Sequence, residues 1–350
     1  MNFQTIPTVE SEKALLNLAF SKAREKGIQR NLQGNWLEII RKKEGLKIDI
    51  IKDTLVSRLD RIRESLPHPK NLPEFYVKLM DLTIDLGQYK KSLAAIDWAK
   101  DKTRFFQGEY VRKIFKTTDR EKIRDLSRQF YGRISSVIKQ VNSNLQYLET
   151  SRKIFRTYPD IKEMFTVCIY GFPNVGKSTL LNKLAGTRAE VAAYAFTTKS
   201  INAGYVWIDG EKVQVLDVPG TLARAEKMNL IELQAELVMR ELANVIIFVF
   251  DLSGYSGYSI KKQEQLFKNL GREKTVLLYL SKLDLTEKED LDELKYKYYS
   301  VEELMEKIKE DMKGYIKERD EKKEAERKRD DEKKEEAQPV HNEQIDDEDS

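Results

Sequence analysis

Gly171-Phe172-Pro173-Asn174-Val175-Gly176-Lys177-Ser178 is the stretch whose reading decides the fold. It matches G-x-x-x-x-G-K-[ST], and its flanks agree with the match. Residues 165–170 (FTVCIY) read as a short buried strand, and residues 179–185 (TLLNKLA) as the helix that follows. Strand, glycine loop and helix in that order aim backbone N–H groups and a helix N-terminus at one point, which suits phosphate. Gly171 and Gly176 let the main chain close around oxygens where a Cβ would intrude. Lys177 supplies a point charge for β- and γ-phosphates, and the Ser178 hydroxyl a Mg²⁺ ligand. The pattern predicts a bound nucleoside triphosphate held by Gly171 through Ser178, with Thr179 opening the helix behind them.

Three further stretches extend the constellation. Asp217-Val218-Pro219-Gly220 follows a predicted strand, so Asp217 is expected to hold Mg²⁺ through water and the Gly220 amide to sense the γ-phosphate. Phe196-Thr197-Thr198-Lys199 lies between, and Thr198, preferred over Thr197, offers a second hydroxyl to the metal. Ser281-Lys282-Leu283-Asp284 follows the fifth strand. Asp284 can accept from the N1–H and N2–H₂ of guanine, donors that adenine lacks, while the Lys282 stem can lie over the base. Ser281 keeps a hydroxyl but not the amide of the asparagine common at the start of such loops. Tyr299-Ser300-Val301 is a further candidate base contact. Thr221 follows Gly220, where many GTPases carry a glutamine that orients water, so slow intrinsic GTP hydrolysis to GDP is expected.

The chain has 350 residues, 40% hydrophobic and 34% charged, enough for two or three domains. No apolar run approaches the roughly 18 residues that span a bilayer, and no signal-peptide pattern opens the sequence. The single cysteine, Cys168, excludes an internal disulfide, and two histidines, His68 and His341, argue against a histidine-based metal site or triad. A cytoplasmic protein with no membrane partner is expected. Charge is unevenly spread. Residues 1–160 hold 32 Lys and Arg against 20 Asp and Glu, residues 161–305 hold 18 against 20, and residues 306–350 hold 12 against 18. The basic first block suits a polyanionic partner, although a solvated charged helix surface gives the same count.

Residues 1–160 show helical periodicity: 8–26, 35–66 with a break near Gly45, 74–86, 89–106, 107–115 and 121–147. Basic clusters fall at Arg41-Lys42-Lys43, at Arg58, Arg61 and Arg63, and at Arg120, Lys122, Arg124, Arg128 and Arg133. Residues 161–305 alternate strands (201–208, 212–216, 245–250, 275–280, 296–299) with helices (228–242, 260–270), and Asp209-Gly210 marks a hairpin turn. The expected fold is therefore an all-α helical bundle followed by an α/β P-loop domain with a doubly wound, mostly parallel sheet. Residues 306–350 form a charged tail, either an exposed helix or disordered.

The run of motifs carries a resemblance. The glycine loop, residues 194–200 (YAFTTKS), Asp217–Gly220, residues 229–234 (NLIELQ), Asp251-Leu252-Ser253 and residues 257–260 (GYSI) resemble the Nog subfamily of Obg-related GTPases. Phe75-Tyr76, Gln88-Tyr89-Lys90 and residues 145–149 (LQYLE) extend the likeness upstream, over roughly residues 5–285. The charged tail, in place of a long extension, is similar to the shorter archaeal type. The resemblance implies a GTPase that acts in assembly of the large ribosomal subunit, contacts ribosomal RNA through its helical domain, and does not act on DNA. Val218 and Ser281 depart from the family's usual threonine and asparagine. Asn174 matches an asparagine that in similar GTPases coordinates potassium. Such an ion would replace the missing glutamine, whereas a purely local role for Asn174 is to rigidify the loop. A competing reading is an RNA-binding module that holds its nucleotide structurally without hydrolysing it.

Overall fold

The computed structural model describes residues 3–28, 33–158, 164–185, 192–194, 201–218, 230–270 and 274–336. Two compact units emerge, one of Met1–Lys162 with Ala193–Ile201 and Arg224–Glu241, the other of Glu163–Ala192, Asn202–Ala223 and Leu242–Ser350.

The first unit is helical: α1 (Glu12–Ile28), α2 (Trp36–Ser65), α3 (Glu74–Thr83), α4 (Leu86–Lys116), α5 (Arg120–Gln140) and α6 (Asn142–Phe155). Caps fix the starts. The Asn35 side chain accepts from Glu38 N while Glu38 reaches back to the cap, and Asp85 and Asp119 accept from the first-turn amides of α4 and α5. Each such cap stabilises by about 1 kcal/mol. Ile48, Ile51, Leu55, Leu59 and Ile62 form the buried stripe of α2, and Ile123, Phe130, Ile134 and Ile138 that of α5. Each buried aliphatic side chain contributes roughly 1.5–3 kcal/mol before entropy is subtracted.

Helix boundaries differ from the sequence reading in three places. α2 runs unbroken through Gly45, because that glycine is where the Phe115 ring of α4 approaches: a Cβ there would lie 3.1 Å from it. Residues 89–115 form one helix rather than two, since nothing at Phe106-Gln107 breaks the period. Residues 121–147 form two helices, turning at Val141, which is buried at the corner.

A six-stranded sheet has the order β2-β3-β4-β1-β5-β6, from β1 (Thr166–Tyr170), β2 (Ala192–Tyr194), β3 (Ile201–Ile208), β4 (Glu211–Asp217), β5 (Val245–Asp251) and β6 (Thr275–Ser281). β1 pairs in parallel with β4 and β5, β5 in parallel with β6, and β3 antiparallel with β4. β1 and β5 are buried along their whole length, as central parallel strands must be. Asp209 and Gly210 both take positive φ, the hairpin conformation their dipeptide favours. Burial pushes the Cys168 thiol up to about 12, so it is a core residue and not a nucleophile.

α7 (Lys177–Ala185), α8 (Leu230–Leu242), α9 (Ile260–Lys268) and α10 (Lys288–Asp292) follow strands of the sheet. Residues 296–299 form no strand, although Tyr299 N donates to Leu278 O at 2.9 Å. The charged stretch is helical: α11 (Val301–Glu336) is opened by a Ser300 cap, buries Leu304, Ile308 and Met312, and sets Tyr315 edge-on to Phe165. Lys309 pairs with Asp209 at 2.8 Å and Arg319 with Glu211 at 3.6 Å, which joins the first half of α11 to the β3–β4 hairpin.

Candidate nucleotide-binding site

The glycine loop fills the space between the end of β1 and the start of α7. Gly171 sits at φ 148° and a Cβ on it would lie 2.7 Å from the Val249 carbonyl oxygen, so only glycine lets the loop leave β1 beside β5. Gly176 is at φ 97°, and a Cβ on it would lie 3.4 Å from Ser281 Cβ, so the phosphate loop and the Ser281–Asp284 loop lie side by side. Asn174 occupies the left-handed region at φ 63°, which asparagine tolerates better than most residues, and its side chain is exposed. Phe172 is buried and stacks on Tyr258 at 4.4 Å, which fixes one wall of the loop. Val175 is buried beneath the loop, Pro173 is half-buried, and Ser178 and Thr179 are exposed at the first turn of α7.

Lys177 donates to the carbonyls of Phe172 (2.9 Å) and Gly171 (3.2 Å), so its ammonium lies inside the ring of the loop. Ser178 Oγ donates to Asp217 Oδ2 at 2.5 Å. β4 lies parallel to β1 with Ile169 opposite Asp217, and this register brings that carboxylate to the start of α7. A hydroxyl and a carboxylate are thereby held together beside a cationic, glycine-lined cradle. Gly220, Thr221, Thr197 and Thr198 lie outside the described residues.

Asp251 is the residue whose role the sequence reading did not identify. It ends β5 fully buried and accepts from Ser253 N (3.0 Å), Ser253 Oγ (2.5 Å), Ser256 N (2.9 Å) and Lys282 Nζ (2.7 Å). Gln263 of α9 brackets the same residue, accepting from Asp251 N at 2.9 Å and donating to Asp251 O at 2.8 Å. Burial alone would push the Asp251 carboxyl up, but the Lys282 ammonium and the Ser253 donors outweigh it and hold the group below its ordinary value. Lys282 has φ 54°, and its head on Asp251 fixes the course of the stem. Ser281 Oγ donates to Phe250 O at 3.2 Å. Asp284 is exposed in the short 3₁₀ turn Leu283–Leu285, free of the sheet core. The signal for Asp251 is its position: one carboxylate closing a wholly apolar strand, followed by serines two and five residues on. Ser300 of the candidate Tyr299–Val301 loop caps α11, accepting from Glu303 N at 3.2 Å.

A glycine loop from a central parallel strand to a helix, with an aspartate from the neighbouring strand on the loop's serine, defines a P-loop GTPase domain here following a helical domain. Family models agree in order and extent: "NOG1 N-terminal helical domain" matches residues 3–162 and "50S ribosome-binding GTPase" residues 166–282. The chain belongs to the NOG1 family of GTPases. It is 34% identical over 291 residues to Uncharacterized protein MJ1408 of Methanocaldococcus jannaschii, covering 82% of each chain. It is 31% identical over 297 residues to Nucleolar GTP-binding protein 1 of Drosophila melanogaster, covering 83% of this chain and 46% of that one. With Nucleolar GTP-binding protein 1 of Saccharomyces cerevisiae the identity is 31% over 315 residues, covering 89% of this chain and 48% of the other. The chain thus spans about half the length of those nucleolar relatives.

Proposed function

We propose that this protein is a GTP-hydrolysing switch that acts in assembly of the large ribosomal subunit, with its helical unit on ribosomal RNA. The observation that carries the catalytic half is the contact from Ser178 Oγ to Asp217 Oδ2 at 2.5 Å. Magnesium characteristically takes one or two protein oxygens, completing its shell with phosphate oxygens and water. A serine hydroxyl beside a carboxylate fits that demand. Among the described residues no group of three or more His, Cys, Asp or Glu side chains forms a self-sufficient metal cage, so the ion would arrive with the nucleotide. Ser178 and Asp217 would hold Mg²⁺ there, and the ion would supply positive charge against that developing on the phosphate oxygens.

The chain's own groups do the rest in this reading. The Gly171–Gly176 backbone cradles the phosphates, Lys177 exchanges its carbonyl partners for phosphate oxygens, and Thr198 and Gly220 sense the γ-phosphate. Asp284 reads guanine, with Ser281 beside the phosphate loop and Lys282 braced by Asp251. Asn174, exposed on the loop, would hold a potassium ion whose positive charge would serve in place of a water-orienting glutamine. The large subunit as partner is supported by the description of the matching GTPase family and by the nucleolar name of the relatives. Among the described residues no helix is long and apolar enough to cross a membrane, and we place the protein in the cytoplasm. Single-turnover GTP hydrolysis with Mg²⁺, in potassium and in sodium, with and without large subunits, tests the reading. Mg²⁺-dependent turnover, faster with subunits and with potassium, is expected. Absence of turnover under every condition, with GTP still bound, would instead establish a structural nucleotide.

A further inference from the structure

The cations of the helical unit divide into two kinds. Along the middle of the bundle they are neutralised: Lys100 pairs with Asp60 (2.6 Å) and Asp97 (3.1 Å), Arg63 with Asp97 (3.2 Å), Arg104 with Asp101 (3.3 Å) and Arg58 with Glu10 (3.6 Å). At one end of the bundle they are not. The start of α2, the end of α4 and the start of α5 converge there. Arg41 joins the first two by donating from Nε and a terminal guanidinium nitrogen to Thr117 O, at 2.9 and 2.7 Å. Gly45 seats the Phe115 ring, and only Thr117, Thr118 and Asp119 separate α4 from α5.

Around this end lie Lys42, Lys43, Lys116, Arg120, Lys122 and Arg124, and none forms an ion pair with a described residue; Lys42 reaches only the Gln33 carbonyl. The nearby carboxylates are largely engaged: Glu38 in the cap of α2, Glu44 with Lys47 (2.7 Å), Asp119 in the cap of α5, and Asp125 3.8 Å from Arg128. Two large aromatic side chains stand exposed among these cations, Trp36 at 61% and Phe115 at 48%.

We propose that this pole is the RNA-binding face of the helical unit and that it takes unpaired nucleotides. The proposal rests on the RNA reading given above and narrows it to a place and a kind of RNA. Unneutralised cations attract phosphates, and counterion release makes that attraction steeply dependent on salt. Exposed indole and phenyl faces add stacking, which only splayed-out bases can accept because the faces of paired bases are covered. An acidic protein segment would satisfy the cations but would leave the two rings without a role.

The test uses the full chain, a fluorescein-labelled oligouridylate, an RNA duplex of equal length, and polyglutamate. The wild type should bind oligouridylate more tightly than duplex. Trp36→Ala should weaken oligouridylate by about tenfold or more and duplex little, with the melting temperature kept because the ring is exposed. Replacing Lys116, Lys122 and Arg124 by Gln should lower the slope of log affinity against log salt by about 2, at about 0.7 per lost cation on a single strand. In a Trp98→Phe/Trp207→Phe background, Trp36 emission should be quenched by the oligonucleotide. Tight, salt-dependent RNA binding that none of these pole substitutions alters would overturn the location while leaving the RNA reading intact. Equal loss on duplex and single strand, or polyglutamate binding as tightly as oligouridylate, would overturn the claim for unpaired bases. No RNA binding by the wild type at low salt would refute the RNA reading itself and this proposal with it.

Discussion

Lys282 Nζ lies 2.7 Å from Asp251 Oδ2, with the carboxylate fully buried and the lysine side chain 25% exposed. The pair links the end of β5 to the loop that follows β6, two parallel neighbours whose ends face the phosphate loop. A buried carboxylate with four donors is a rigid fixture, and whatever Lys282 does for a ligand it does from that anchor.

Asp251→Ala would leave the Ser256 amide and the Lys282 ammonium short of an acceptor. A loss of about 2–3 kcal/mol is expected, below the 3–5 of a wholly buried pair because Lys282 is partly solvated. Denaturant unfolding measures it. The pH dependence has a definite sign. The folded carboxyl is held below its ordinary value of 3.8, so its stabilisation is complete above that value and fades as pH falls through the lower folded one. The gap in melting temperature between wild type and Asp251→Asn should be constant from neutral pH down to about 5 and close only below about 4. A gap that closes near neutrality would mean that the pair is not what the variant removes.

Gly171→Ala and Gly176→Ala should separate. Both residues have positive φ, costing a side chain about 1–3 kcal/mol. At Gly171 the added Cβ would also meet the Val249 carbonyl at 2.7 Å, whereas at Gly176 the nearest atom is the Ser281 Cβ at 3.4 Å. Thermal melts of the nucleotide-free protein should rank Gly171→Ala as the less stable. The reverse order would contradict the close packing of β1 on β5.

Lys177→Ala removes an ammonium held inside the loop by two carbonyls. GTP affinity, measured by calorimetry, should fall tenfold or more, equivalent to about 1.5–3 kcal/mol. Unchanged affinity would put the nucleotide elsewhere.

Much of this was legible in the sequence because short-range chemistry determined it. The glycine loop and the Asp209-Gly210 hairpin are local patterns, and each occupies the structure as its residues demand. That α2 runs unbroken through Gly45 and α4 through Phe106 was not legible. A glycine reads as a break unless its long-range neighbour, here Phe115, is known. The division at Val141 carries no glycine or proline to announce it. The role of Asp251 was not legible because its ionic partner, Lys282, lies 31 positions away. α11 was ambiguous because its charge hides the Leu304, Ile308 and Met312 stripe.

Asp284→Asn exchanges an acceptor for a donor at the exposed turn after β6. Preference should move from guanine toward xanthine nucleotides, read by competition with a fluorescent GTP analogue. If the wild type binds ATP as tightly as GTP, the assignment of Ser281–Asp284 to the base is wrong.

A switch of the kind proposed would couple nucleotide state to attachment to the large ribosomal subunit. Co-sedimentation of the full chain with purified large subunits, in Mg²⁺ with a non-hydrolysable GTP analogue, with GDP and with no nucleotide, tests it most directly. Binding that differs between the GTP analogue and GDP, and that Lys177→Ala makes insensitive to nucleotide, is the predicted result. Equal sedimentation in all three states, or none in any, would contradict the account.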